Sequence, residues 1–443
     1  MVRAGLFDDL PEEQGPVRGD PAGRPRMREP VRNQIELRAM DIDSLIGSDH
    51  PARVIWGYVE RLDLRELEDA IKAREGTPGG PAIAPRLLLA LWLFATSEGV
   101  GSARALSRLI EHHDAYRWLA GGISVNYHTL SDFRVGHGAL LDRLLTENVA
   151  ALCAAGVIDV SALAQDGVRV RASAGAASFR RRGKLEEHLA SARDLVERLK
   201  REVDENSDAS NQRMRAAKER AARERAERIQ AALKTLDEVE AQREERKQAR
   251  GNKKAEKPKE PRASTTDPQA RVMKMADGGF RPAWNVQVVS AAGEQIVIDV
   301  NPLAIGSDRG LMRPSLEATR GRLGRLPHRH LADGGFTCAA DIEWAHGQEI
   351  EIYCPPTQSK HGTDPYLPRR DDGPGVLAWR SRMASPQGQA IYRNRSICEC
   401  IHARWRNWNL MRMTVRGAAK VKALMLWHAL ANNILQGHRL APA

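Results

Sequence analysis

The chain has 443 residues, more than one domain usually holds, and combines 42% hydrophobic and 28% charged residues with only 5% aromatic ones. Its net charge of +11 favours a polyanionic partner, nucleic acid first, because each phosphate contact releases condensed counterions. Five scattered cysteines and no secretory signal argue against a disulfide framework and for a reduced, cytoplasmic protein; the longest apolar run, "LLLALWLFA" (Leu87 to Ala95), is about half the ~20 residues of a membrane span and reads as a buried helix.

Residues 1–33 are rich in Pro, Gly, Arg and acids without apolar periodicity and read as a flexible arm. Residues 34–155 have helical spacing interrupted at "GTPGGP" (76–81) and "LAGGIS" (119–124), which predicts a helical N-terminal domain. Within it, "SARALSRLIEHHDAYRWL" and "NYHTLSDFRVGHGALLDRLL" form two helices around a glycine-bearing turn, compatible with a DNA-binding helix-turn-helix and equally with an ordinary bundle. Thr129 or Ser131 is the expected cap of the second helix, leaving His128, Asp132 and Arg134 near its exposed start.

From about 156 to 178 the pattern alternates: "VSALAQDGVRVRAS" puts Val168 and Val170 on one face and Arg169 and Arg171 on the other, with Asp166 at the strand's start. Residues 179–262 break this pattern with apolar positions at steps of three or four, Leu189 to Val203 and then Ala222 to Leu236, which predicts an inserted, coiled-coil-like helical hairpin with a basic tail, "KQARGNKKAEKPKEPR". Such a hairpin can grip DNA, dimerise, or simply present a solvated charged face. Over 263–436 strands return at 283–290, 294–302, 328–333 and 349–356, with helices at 308–323 and 337–347 between them. A Gly/Pro-rich stretch and two helices, the first over 391–407, finish the chain. A mixed α/β sheet covered by helices is the implied fold class.

Three carboxylates stand out. Asp166 precedes Gly167, Asp333 ends a strand in "LADGGF", and glycine beside each leaves the backbone open to close approach by a ligand. The third lies in "IYRNRSICECIHARWRN" (391–407), where Tyr392, Arg395, Glu399 and Arg406 fall on one helical face; Glu399 either merely pairs with Arg395 four residues earlier or serves chemistry. Three carboxylates from separate elements suit two hard divalent ions. Zinc at Cys398, Cys400 and His402 is disfavoured, since Cys-x-Cys-x-His is not a usual ligand spacing and helix residues two apart diverge. "DPQARVMK", with Asp267, Arg271 and Lys274, reads equally as a DNA- or metal-adjacent loop and as plain surface.

As a set, Asp166, Asp333, the Tyr392–Arg395–Glu399 spacing and "STTDPQARVMKMADGGFRPAWNVQVV" (264–289) resemble the DDE transposases of bacterial insertion sequences, in the branch related to insertion sequence five with its Tyr-Arg-Glu-Lys signature. The likeness runs over about 34–436, with Arg406 at the signature's lysine and Trp284 where tyrosine is usual. It implies an RNase H-like catalytic domain behind an all-helical N-terminal domain, with Asp166, Asp333 and Glu399 holding two Mg²⁺ or Mn²⁺ ions. Tyr392, Arg395 and Arg406 would contact DNA. It further implies binding of terminal inverted repeats and target DNA, metal-dependent cleavage and strand transfer, and a homodimer holding paired ends; the short apolar run gives no reason to expect a membrane partner. The alternative is a catalytically inactive, transposase-derived DNA-binding or architectural protein.

Overall fold

The computed structural model describes residues 40–76, 78, 80–205, 209–250, 260–357, 362 and 364–441. The arm expected at 1–33 and positions 251–259 of the basic tail lie outside them. The chain divides into Met1–Asp41, almost wholly outside the described residues, and Ile42–Ala443, which holds every element below.

Among the described residues seven α-helices come first: α1 (Pro51–Glu60), α2 (Arg65–Asp69), α3 (Pro85–Ser97), α4 (Ala103–His112), α5 (Asp114–Ala120), α6 (Tyr127–Gly136) and α7 (Gly138–Ala154). The run at Leu87–Ala95 is α3, buried along its whole length, as a helix apolar on all sides must be. Among the described residues no helix is long and apolar enough to cross a membrane. The two helices expected over 102–145 are in fact four. His113 leaves helical geometry, and its Nδ1 accepts the Ala115 N–H at 3.3 Å, ending α4 and starting α5; His137 likewise separates α6 from α7. Asn126, not Thr129 or Ser131, caps α6, accepting the His128 N–H at 2.8 Å, and Arg134 is buried rather than near an exposed start.

Strand β1 (Ala162–Arg171) follows, then a two-residue ladder of β2 (Phe179–Arg180) with β3 (Ala263–Ser264). The ladder closes the base of the inserted hairpin, α8 (Arg182–Glu205) and α9 (Ala209–Arg250). The hairpin has its own small core of Leu185, Ala192, Ile229, Ala232 and Leu236, against which Leu189, Ala226 and Leu233 pack.

The remaining chain supplies β4 (Arg271–Lys274), β5 (Phe280–Ala291), β6 (Val297–Leu303), α10 (Met312–Leu323), β7 (Arg329–Ala332), α11 (Ala339–Gly347), β8 (Glu351–Tyr353), α12 (Pro374–Ala384), α13 (Pro386–Tyr392), α14 (Ile397–Asn407) and α15 (Ala418–Leu440). β5 pairs antiparallel with β1 on one side and, on the other, first with β4 and then with β6; β1, β7 and β8 run parallel. Three antiparallel strands extended by two parallel ones, with α10 and α11 as crossovers, make the sheet RNase H-like. β4 and α12 were not expected from sequence. The predicted single helix over 391–407 is broken by a 3-10 turn, Arg393–Ser396, between α13 and α14.

Helix α15 joins the two halves. It packs on α1, α3, α6, α7 and β6, so one hydrophobic core runs from the N-terminal helices into the sheet. On α15 the buried Asn433 exchanges two hydrogen bonds with the Val297 backbone, 2.7 Å each, and so satisfies part of the outer edge of β6.

Candidate active site

Asp166 lies at the centre of β1, fifth of ten residues rather than at the strand's start. Its Oδ1 accepts the Gly167 N–H at 2.9 Å; its Oδ2 is 3.5 Å from Arg395 Nη1 and 3.6 Å from His402 Nδ1. Burial pushes its pKa up to about 6. Arg395 and the Gly167 N–H oppose that rise, and the charges of Asp333 and Asp308 add to it.

Gly167 is glycine for a packing reason. A Cβ there would stand 2.6 Å from Asp308 Oδ1, 2.6 Å from Gln287 Nε2 and 2.9 Å from Asn285 Oδ1. Those three side chains form one polar group, since Asn285 and Gln287 donate to Asp308 at 2.7 and 2.9 Å, and Arg169 adds an ion pair at 3.2 Å. Asp308 is thus a fourth carboxylate near the site that sequence reasoning missed. It sits in a loop after β6, and only the tertiary fold brings it to β1.

Asp333 comes next to Asp166 through strand register. In the parallel β1–β7 ladder Gln165 pairs with Ala332, so one further step sets Asp166 beside Asp333 just where β7 ends. Asp333 then turns the chain: its Oδ1 accepts the Gly335 N–H at 2.7 Å, and its carbonyl accepts the Cys354 thiol at 2.9 Å. Burial pushes that thiol up to about 12, so it serves as a neutral donor.

From α14 and the turn before it come the remaining groups. Arg395 donates to Glu399 at 2.7 Å while facing Asp166, and its guanidinium lies 5.9 Å from the centre of the Tyr392 ring. The i,i+4 pair expected from spacing therefore forms even though a 3-10 turn precedes the helix. Tyr392 is half-buried, and burial raises its pKa. Glu399 is turned outward, its side chain 61% exposed. Arg406 is exposed, and its guanidinium makes no hydrogen bond or ion pair among the described residues. His402, three residues beyond Glu399, is buried, and burial with help from Arg406 and Arg395 lowers its pKa to about 4, so it faces Asp166 as a neutral ring. Its place on the Glu399 face was the one available sequence signal for it.

The fold therefore brings Asp166, Asp333, Arg395 and Tyr392 together and keeps Glu399 attached through Arg395. Among the described residues no three acidic, histidine or cysteine side chains stand close enough to hold a metal ion as they are. Asp166 and Asp333 nevertheless fit one: they are adjacent oxygen donors, one of them desolvated to the point of reluctant ionisation, a cost that a hard divalent cation relieves. Elsewhere, Cys398 is buried against Ser290 while Cys400 is exposed, so their thiols diverge. Asp267, read as loop or surface, is fully buried and accepts the Gly417 N–H at 3.1 Å, tying the start of α15 to the segment before β4.

Two family models match the chain: a transposase DDE domain over residues 254–434 and a transposase domain (DUF772) over residues 40–135. The first spans β5–β8, α14 and most of α15, with Asp333 and Glu399 inside it; Asp166 and the hairpin lie between the two matches. No curated protein and no solved structure matches the chain. With one transposase model over the N-terminal helices and a second over most of an RNase H-like sheet, the chain belongs to the DDE transposases of bacterial insertion sequences.

Proposed function

We propose that the protein binds the terminal inverted repeats of its own element, cleaves DNA at the element's ends and joins them to target DNA, with Asp166, Asp333 and Glu399 as the catalytic carboxylates. The observation that carries this reading is the juxtaposition of Asp166 and Asp333 at the end of the β1–β7 ladder, with Arg395 bridging Asp166 to Glu399. The family's general use of divalent metal adds to it. Two Mg²⁺ or Mn²⁺ ions held by the three carboxylates would supply an activated oxygen nucleophile and stabilise the leaving oxygen of an in-line phosphoryl transfer.

The chain's own residues prepare that reaction. A DNA phosphate reaching the site competes with Asp166 and Glu399 for Arg395, whose planar fork suits phosphate as well as carboxylate. Release of Arg395 frees both carboxylates at once. Tyr392, already against the Arg395 guanidinium, lines the path of the scissile strand. Arg406, unpaired and exposed two turns along α14, takes a flanking phosphate; as arginine in place of the signature lysine it offers a fork rather than a point charge. Buried His402 covers Asp166 without adding charge.

The N-terminal helices supply end recognition, and two ends held together call for a homodimer. The test is incubation of the full chain with duplexes carrying the ends of its element, in Mg²⁺ and in EDTA. Mg²⁺-dependent nicks at the element boundary, followed by joined products, are expected. Salt-sensitive DNA binding without any cleavage would instead support the inactive, architectural alternative.

A further inference from the structure

Arg134 on α6 is an unusual residue. It is 8% exposed, yet no carboxylate pairs with it among the described residues. Its guanidinium lies 4.9 Å over the Trp92 ring and donates from Nη1 to the Gly101 carbonyl, while its Nε has no partner. A buried charge is ordinarily paired, because desolvation without compensation is costly. Burial indeed lowers the pKa of Arg134, with no acid opposing the effect.

The surroundings are those of an anion site. Arg134 lines two neighbouring cavities, an open groove of about 450 Å³ between α4 and α6 and a smaller one of about 40 Å³ behind it. Ser102, Arg104, Tyr127, His128 and Ser131 form the groove, and Arg412 lines the smaller cavity; among the described residues no carboxylate lines either. Ser102 is the N-cap of α4 and Tyr127 the first residue of α6, so two helix N-termini, each carrying partial positive charge, meet at the groove. Arg104 is exposed and lies 4.8 Å over the Tyr127 ring, which holds its charge at the rim. The Gly101 contact explains one nitrogen of Arg134, not the acid-free cavities on either side of it.

We propose that the groove between α4 and α6 seats one backbone phosphate of a bound DNA strand, with Arg134 as its buried anchor and Arg104 and Ser131 at its rim. This assignment rests on the transposase reading and names the point at which the N-terminal helices hold the strand. The test uses the full chain and a fluorescent duplex of the terminal repeat, titrated across a range of salt, for wild type, Arg134→Gln and Arg104→Gln. Each variant is expected to bind about ten-fold more weakly at low salt, with the slope of log affinity against log salt reduced by about one, as for a single lost phosphate contact. A methylphosphonate scan of the duplex is expected to find one position whose neutralisation weakens wild type more than Arg104→Gln, a variant of an exposed side chain that leaves folding intact. If wild type binds DNA and folded Arg104→Gln keeps the same affinity and slope, this inference fails and the transposase reading stands; if wild type does not bind the duplex, the transposase reading itself fails. No sensitive duplex position, together with inorganic phosphate raising the melting temperature of wild type but not of Arg134→Gln, overturns the DNA assignment in favour of a free-phosphate site.

Discussion

Asp166 carries its charge at a cost, and the cost has a definite pH window. Its pKa is raised from 3.8 to about 6, so the folded chain keeps a proton that the unfolded chain has already lost. The penalty is absent below about pH 4, grows between 4 and 6, and is complete above that. Asp166→Asn should therefore stabilise the protein at pH 7.5 by about 2–3 kcal/mol and have no stabilising effect at pH 4, measured by denaturant unfolding at both values. An equal effect at the two pH values would mean that ionisation of Asp166 is not the cause. Glu399 behaves differently because it is mostly exposed: Glu399→Gln loses a surface ion pair worth about 0.2–1 kcal/mol, so its melting curve should stay near wild type. Much of this site was legible in sequence. The glycines beside Asp166 and Asp333 and the four-residue step from Arg395 to Glu399 are local features. Asp308 was not legible, because nothing near it in sequence says that it closes on Gly167.

Among the elements, β1 leaves no room at Gly167 for a side chain between itself, β5 and the loop that carries Asp308. Gly167→Ala would drive a Cβ into Asp308, Gln287 and Asn285, and an overpacking cost of about 1–3 kcal/mol is expected in equilibrium unfolding. The inserted hairpin is a separate matter. It has its own core and a two-residue ladder at its base, and all nine tryptophans lie outside it. Replacing residues 186–235 by a short Gly/Ser linker should remove helical signal from circular dichroism while tryptophan-monitored unfolding shifts by less than about 1 kcal/mol. A large loss would show that the sheet depends on the hairpin. Strands β1, β5 and β6 and the hairpin were readable because period-2 and period-3.6 patterns persist over many residues. Strand β4 was not, being only four residues on the sheet's edge. Helix α12 was hidden because Val376, Trp379 and Met383, its buried face, follow a stretch dominated by Gly and Pro.

In the molecule as a whole, the N-terminal helices and the sheet share a core through α15, an arrangement that the apolar run of that helix does not announce in sequence because its partners are unspecified. Arg322 of α10 adds a polar tie: it pairs with Asp142 of α7 at 2.7 Å and with buried Asp299 of β6 at 2.8 Å. Arg322→Met would leave Asp299 with only Lys422, 3.8 Å away, and should cost about 3 kcal/mol in a single transition of helices and sheet together; two separate transitions would contradict a shared core. This joint body presents Asp166, Asp333 and Glu399 from three different elements, and under the proposed function they act as one catalytic set. The decisive measurement is Mg²⁺-dependent cleavage of terminal-repeat duplex, comparing wild type with Asp166→Asn, Asp333→Asn and Glu399→Gln, each first shown to be folded and to bind the duplex. Each single change is expected to lower cleavage by at least about a thousand-fold while binding persists, because residues acting as one unit fail together. Glu399→Gln cleaving at the wild-type rate would contradict it.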